Sequence, residues 1–331
     1  MGKTLIIAEA GVNHNGDIAI AKQLIETAKQ CGADIVKFQT AQLDSLVSKF
    51  APMAEYQKEN IGKEQSQKEM LQELLLPFED FVELSKYCQT LGIHFLSTPF
   101  DIESIDFLDS LVDIWKIPSG EITNYPYLVR IAQTKKEVIL STGMSSIDEI
   151  GQAIEVLKTN GTTAITLLHC TTEYPASVNN INLNAMLTLK QEFGYPVGYS
   201  DHSEGINVSL AAVAMGATII EKHFTLDKTM DGPDHKASLE PQELKALVDG
   251  IRQIEIAKGS FTKEATESEK KTLVVARKSI VAAKRIVKGE TFTEENLTTK
   301  RPGNGLSPMM WNTVIGKKAT RDFSEDELIE L

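Results

Sequence analysis

Two histidines, His202 and His223, and two lysines, Lys37 and Lys116, stand at or near the ends of short, otherwise apolar runs. The lysines lie in Asp34-Ile35-Val36-Lys37-Phe38 and Ile114-Trp115-Lys116-Ile117; the histidines close Gly198-Tyr199-Ser200-Asp201-His202 and Ile219-Ile220-Glu221-Lys222-His223. Imidazoles ending neighbouring strands are placed to share one divalent cation, beside the acidic Glu9 and Asp201. Mixed nitrogen and oxygen ligands with open positions suit Mn2+, Fe2+, Co2+ or Zn2+ over Ca2+, with Mg2+ also allowed. A single lysine in a strand is ordinarily an edge residue or a snorkelling chain. Lys37 and Lys116 pointing into one mouth, with the hydroxyls of Ser119 and Ser141, instead make a local positive pocket suited to a phosphate ester. The formal net charge of -12 makes that pocket an exception, and it excludes nucleic acid and anionic membranes as partners because no basic surface exists to collect phosphates.

The other polar residues fall in the same kind of place. Glu9 precedes Asn13-His14-Asn15-Gly16; Gln39 follows Lys37; Glu121 follows Ser119; His169-Cys170-Thr171-Thr172-Glu173-Tyr174 and Ser200-Asp201-His202 each close a run. Asp234 lies in the turn-rich Met230-Asp231-Gly232-Pro233-Asp234-His235, either at a rim where it binds sugar hydroxyls or in a plain turn leading to a helix. Cys170 is expected to pack and not to act as a nucleophile, since the adjacent His169 points to the opposite side of a strand.

Elements able to gather these ends must be numerous and parallel. Eight β-branched runs are expected near Leu5 to Glu9, Asp34 to Phe38, His94 to Thr98, Ile114 to Ile117, Val138 to Ser141, Ile165 to His169, Val197 to Ser200 and Thr218 to Glu221. Helical patterns alternate with them, among them Ile18 to Lys29, Phe78 to Thr90, Ile147 to Lys158, Ile206 to Met215 and Pro241 to Lys258. So even a repeat predicts an α/β fold, a closed (β/α)8 TIM barrel over residues 1–258, whose catalytic groups sit at C-terminal strand ends. Residues 42–70 are too long for an ordinary βα loop, and loops of that size usually cover a site. A Ser, Thr, Lys and Glu-rich stretch over 259–272 predicts a linker, and residues 273–331 a small, mostly β domain that must dock to be stable. The three cysteines lack CxxC spacing, so neither a disulfide framework nor a structural zinc site is expected. No apolar stretch is long enough to span a bilayer and Met1 to Ala10 has no leader layout, which predicts a cytoplasmic protein.

The motifs Ala8-Glu9-Ala10-Gly11-Val12-Asn13-His14-Asn15-Gly16, Lys37-Phe38-Gln39-Thr40, Ser97-Thr98-Pro99-Phe100-Asp101, Lys116-Ile117-Pro118-Ser119-Gly120-Glu121, Gly198-Tyr199-Ser200-Asp201-His202 and Glu221-Lys222-His223-Phe224 resemble the sialic acid (nonulosonic acid) synthase family. The segments Lys278 to Ala283 and Lys300-Arg301-Pro302-Gly303-Asn304-Gly305 look like its C-terminal antifreeze-like (SAF) domain. The resemblance implies that C3 of phosphoenolpyruvate adds to the aldehyde of an open-chain N-acetylated mannose-type sugar, water enters at C2 and phosphate leaves. It implies a metal on His202 and His223, Mn2+ with Mg2+ or Co2+ as alternatives. Lys37, Lys116, Ser119, Ser141 and Ser200 would bind phosphoenolpyruvate; Gln39, Glu121, Tyr174 and Asp234 would hold the sugar; Glu9 would position or deprotonate the water. Arg301 would reach the sugar's N-acetyl group in a partner subunit, which implies a domain-exchanged homodimer. Phe38, and Glu173 before Tyr174-Pro175, depart from the familiar neuraminate pattern and look more like legionaminic acid synthases, with N-acetylneuraminate synthesis as the alternative. Two other readings compete: a Schiff-base aldolase using Lys116 or Lys222, and an ice- or carbohydrate-binding module on an inert barrel.

Overall fold

The computed structural model describes residues 2–48 and 67–331. Eight strands alternate with helices: β1 (Leu5–Gly11), β2 (Ile35–Thr40), β3 (His94–Pro99), β4 (Ile114–Ile117), β5 (Glu137–Ser141), β6 (Ile165–Cys170), β7 (Val197–Asp201) and β8 (Ile219–His223). Each boundary falls within two residues of its expected position. All the ladders are parallel, in the order β3-β2-β1-β8-β7-β6-β5-β4. Strands β3 and β4 pack side by side without a shared ladder among the described residues, so the eight strands form the expected TIM-like barrel, nearly closed at that seam.

Local sequence explains where the helices start and stop. Asp17 accepts the Ala19 N–H ahead of helix Ile18–Cys31, and Gly32, at a φ of 86° open to glycine, closes it. Ser146 and Glu149 form a capping box at helix Ile147–Thr159, and Pro241 stands in the first turn of helix Pro241–Lys258. The faces these helices bury join the outward side chains of the strands in one core that includes Ile6, Val36, Trp115, Leu140, Tyr199 and Ile220. Of the long segment 42–70, only its ends lie within the described residues: a single turn at Leu43–Leu46 and helix Gln67–Leu74.

The chain forms two compact units, Met1–Gly259 and Ser260–Leu331. The stretch 259–272, expected to be a linker, is helical from Glu267, where Thr266 and Glu269 build a capping box for helix Glu267–Ala276. Beyond it, β9 (Ser279–Ala282) pairs antiparallel with β10 (Leu297–Lys300), and isolated bridges join Val281 to Leu328 and Ile286 to Phe323. This small unit has its own core of Ile280, Ile286, Phe292, Leu297, Val314, Phe323 and Ile329. All three cysteines are buried and unbridged. No helix among the described residues is long and apolar enough to cross a membrane.

Candidate active site

Strand register decides which polar residues converge. In the ladders Glu9 stands level with both Lys37 and His223, Ser200 with both Glu221 and Cys170, and Gln39 with Thr98. Period-two alternation then turns Glu9, Lys37, Gln39, Lys116, Cys170, Ser200, Glu221 and His223 toward the barrel axis. Their neighbours turn out: Trp115 donates its indole N–H to Thr134, and the His169 ring lies near Ile181 O at 2.6 Å.

At the centre lies a buried charge cluster. Lys37 Nζ stands 3.3 Å from Glu9 Oε2 and 3.2 Å from Glu221 Oε2, and donates to Thr98 Oγ1 at 3.1 Å. Lys116 Nζ is 3.6 Å from Glu221 Oε1, which also accepts the Ser200 hydroxyl at 3.1 Å. Both lysines are 2–3% exposed, so these charges face one another with almost no water between them. Burial pushes the Glu9 carboxyl up to about 7, with Lys37 opposing. Burial also opposes ionisation of Glu221, but Lys116 and Lys37 outweigh it and hold that carboxyl down to about 2. The two carboxyls are thus driven apart, Glu221 fully ionised and Glu9 titrating near pH 7, while burial lowers Lys116, and for Lys37 burial is outweighed by Glu221 and Glu9, which raise it.

Above the cluster the two histidines meet. Their ring centroids are 5.6 Å apart, and Tyr174 stacks on His202 at 4.1 Å and edge-on to His223 at 5.8 Å. His202 Nδ1 sits 2.7 Å from Thr171 O, an arrangement that puts the ring proton on Nδ1 and leaves Nε2 free to ligate. His223 Nδ1 is buried without a hydrogen-bond partner, and burial together with His202 and Lys37 keeps that imidazole neutral. A neutral orphaned nitrogen next to a second oriented imidazole fits a divalent cation held by two histidines. The expected acidic neighbours are arranged differently. Asp201 turns away from the mouth, bound by Lys222 Nζ at 3.0 Å, the Ser203 N–H at 2.8 Å and the Ser209 hydroxyl at 2.6 Å. Among the described residues no group of three or more His, Cys, Asp or Glu gathers as a ligand set, so most positions on such a cation would be open to water or substrate.

A cavity of ≈ 240 Å³ opens beside His223, lined by Gln39, Tyr174, His223 and Asp234 together with apolar residues. Gln39 Nε2 donates to Glu9 Oε1 at 3.1 Å. Gly11, at a φ of +54°, lies where a Cβ would come within 3.3–3.4 Å of Gln39, Glu9 and His223, so a bulge and a missing side chain let these three approach. Burial raises Asp234 to about 6. Its loop is fastened on several sides. His235 lies 3.1 Å from Asn15 Oδ1 through Nε2 and 2.7 Å from the Thr225 hydroxyl through Nδ1. Ser238 Oγ donates to Asp234 O at 2.7 Å and accepts from Asn13 Nδ2 at 2.9 Å. Asp234 is therefore set into the cavity wall, at the head of the short helical turn His235–Ala237.

Other expected site residues lie as follows. Ser119 Oγ accepts the Gly143 N–H at 2.9 Å, and the Ser141 hydroxyl is buried without a partner. Glu121 binds Asn124 at 2.7 Å and does not line the cavity; Glu173 accepts from Ser177 and Asn180 within its own loop. Arg301, in the small unit, is exposed and donates to Ala276 O at 3.0 Å. Cys170 does more than pack: its Sγ is 3.7 Å from His202 Nδ1, and His202 and Lys116 draw its thiol down against the effect of burial. Glu221, Thr98 and Asn13 belong to the site, though the sequence reading quoted them in its motifs without giving them a role. Glu221 had a signal, since it lies two residues before His223 and so shares its face; Asn13 had none, because its partners Phe224 and Ser238 are more than two hundred positions away.

The profile of the NeuB family matches residues 24–263, and that of the SAF domain residues 277–330. The chain is 57% identical to an N,N'-diacetyllegionaminic acid synthase of Campylobacter jejuni over 99% of both chains. It is 48% identical to a protein of the same name from Legionella pneumophila, over 96% of this chain and 91% of that one. A crystal structure of N-acetylneuraminic acid (sialic acid) synthetase from Leptospira borgpetersenii, in complex with citrate, superposes with a TM-score of 0.72 at 36% identity, covering 82% of this chain and 90% of that chain. With full-length relatives, a matched barrel and a matched C-terminal domain, the chain belongs to the NeuB family.

Proposed function

We propose that the protein is a phosphoenolpyruvate-dependent nonulosonic acid synthase whose sugar is 2,4-diacetamido-2,4,6-trideoxymannose, making N,N'-diacetyllegionaminate. The carrying observation is the pairing of two buried lysines with two adjacent histidines at one barrel mouth, in a chain so similar to named legionaminic acid synthases. The second reading, N-acetylneuraminate synthesis from N-acetylmannosamine, rests on less similar relatives.

Lys37 and Lys116 hold the phosphate and carboxylate of phosphoenolpyruvate, with the hydroxyls of Ser119, Ser141 and Ser200; the partnerless Ser141 Oγ is a donor in want of such an acceptor. Gln39, Tyr174 and Asp234 orient the sugar so that its aldehyde carbon faces C3 of the enol, and Glu121 meets it only if its loop re-forms around substrate. A divalent cation on His202 and His223, Mn2+ in preference to Mg2+ or Co2+, supplies Lewis-acid polarisation of the aldehyde. Glu9 lies beside Lys37 and orients the water that enters at C2 as phosphate departs. Arg301 binds the N-acetyl group in a partner copy. The exposed Tyr125 at the start of helix Tyr125–Gln133, Met144 and Val178 after strands β5 and β6, and Met309 at 93% exposure on the small unit are apolar surfaces that such a domain-exchanged homodimer would cover.

The test is phosphate release from phosphoenolpyruvate with Mn2+ and either sugar, with and without a chelator. Chelator-sensitive turnover faster on the trideoxy sugar is expected. Preference for N-acetylmannosamine would reassign the enzyme to neuraminate synthesis, and no release with either sugar would overturn the synthase reading.

A further inference from the structure

Six residues that line the ≈ 240 Å³ cavity carry no hydrogen-bonding side chain: Val12, Leu46, Leu71, Leu74, Leu75 and Phe100. Val12, Leu74 and Leu71 pack as a cluster of their own, separate from the barrel core, so burying the core does not explain why they are apolar. Their placement is built in. Helix Gln67–Leu74 approaches the β1 loop at Gly16, where a Cβ would stand 2.6 Å from Glu73 O, so only a residue without one admits the helix there. The same cavity is also lined by the polar side chains of Gln39, Tyr174, Asp234 and His223. A volume below the roughly 300–1,000 Å³ of pockets for drug-sized ligands limits the occupant to about one sugar unit.

Resting on the synthase reading, we infer that this leucine-lined wall receives the C6 end of the sugar and selects a 6-deoxy sugar, whose end is a methyl group, over one ending in a hydroxymethyl group. The aldehyde must lie at the histidines, and the polar substituents along the chain meet Gln39, Tyr174 and Asp234. The far end of the extended sugar then falls against the helix that supplies Leu71 and Leu74. A methyl group there loses water at no polar cost, whereas a hydroxyl gives up hydrogen bonds that leucine and valine do not replace.

The experiment compares kcat/KM for two sugars that differ only at C6, 2,4-diacetamido-2,4,6-trideoxymannose and its 6-hydroxy counterpart, in the wild type, Leu71→Asn and the shape-conserving Val12→Thr. Wild type is expected to prefer the 6-deoxy sugar by roughly 10-fold to 100-fold, the discrimination a hydrophobic pocket achieves for a group of this size. Each variant is expected to lower that ratio about 10-fold by a change in sugar KM, with the KM for phosphoenolpyruvate unchanged as the sign of an intact barrel. A ratio equal to that of wild type in both folded variants would overturn the inference and leave the synthase reading standing. No turnover of either sugar by wild type would overturn both.

Discussion

Removing the positive charge at Lys37 tests the central claim about the barrel mouth, that its buried charges stabilise the fold only as a set. Lys37 Nζ touches Glu9 at 3.3 Å and Glu221 at 3.2 Å, and all three side chains are at most 6% exposed. At an effective dielectric near 20, each contact amounts to about 5 kcal/mol of attraction when its carboxylate is ionised, as both are above pH 8, most of it consumed by the desolvation of the ions. Lys37→Met leaves Glu9 and Glu221 facing each other without that cation, and a broken buried pair costs about 3–5 kcal/mol. Glu221→Gln leaves Lys37 and Lys116 as two buried cations sharing only Glu9, with a loss of similar size expected. The double variant removes one charge of each sign, so its loss should fall short of the sum by about 2–3 kcal/mol, the upper end of measured coupling energies. Urea unfolding followed by tryptophan fluorescence measures this. The fully buried Trp115 reports the barrel, and a Trp311→Phe background silences the tryptophan packed against the core of the small unit. Losses that add to within about 0.5 kcal/mol would show that the three charges act independently and would refute the reasoning.

Other consequences are open to equally direct measurement. His235→Ala frees the loop that carries Asp234, so sugar KM should rise about 10-fold, a fraction of the roughly 100-fold loss from a 1 Å misplacement. His235→Gln should restore much of it, and if sugar and phosphoenolpyruvate KM rose together the loop would not be a sugar-positioning device. Asp34 is opposed by burial but held below the usual carboxylate range by Lys3, the Ile6 N–H and Arg252. Its stabilisation is therefore complete above its unfolded pKa of about 3.9 and is lost as pH falls through the lower folded value. The stability gap between wild type and Asp34→Asn in urea should be open at pH 7 and narrow toward pH 3; a gap independent of pH would count against the pairing. At Gly198 a Cβ would stand 2.5 Å from Ile219 O and 2.6 Å from Leu168 Cδ2, with backbone that has no room to yield. Gly198→Ala should cost at least the roughly 1–3 kcal/mol of an overpacked core, read as a lowered urea midpoint, and an unchanged midpoint would mean the barrel flexes there.

By itself the sequence determined the elements and their order. Eight β-branched apolar runs, separated by amphipathic stretches that open at Asp17, Ser146 and Pro241, are local properties, so strands and helices appeared within two residues of where composition put them. It also determined that polar groups cluster at strand ends, because a lysine or histidine closing an apolar run is visible without knowing its neighbours. Tertiary structure decided which of those groups meet. Strand register is a long-range property: it sets Glu9 level with both Lys37 and His223 and turns Asp201, one residue from an inward serine, out toward Lys222. Contacts made far along the chain, such as Asn13 with Phe224 and Glu73 with Gly16, leave no periodic trace in the sequence, so the fastening of the Asp234 loop and the leucine wall emerged only once the barrel had brought its ends together.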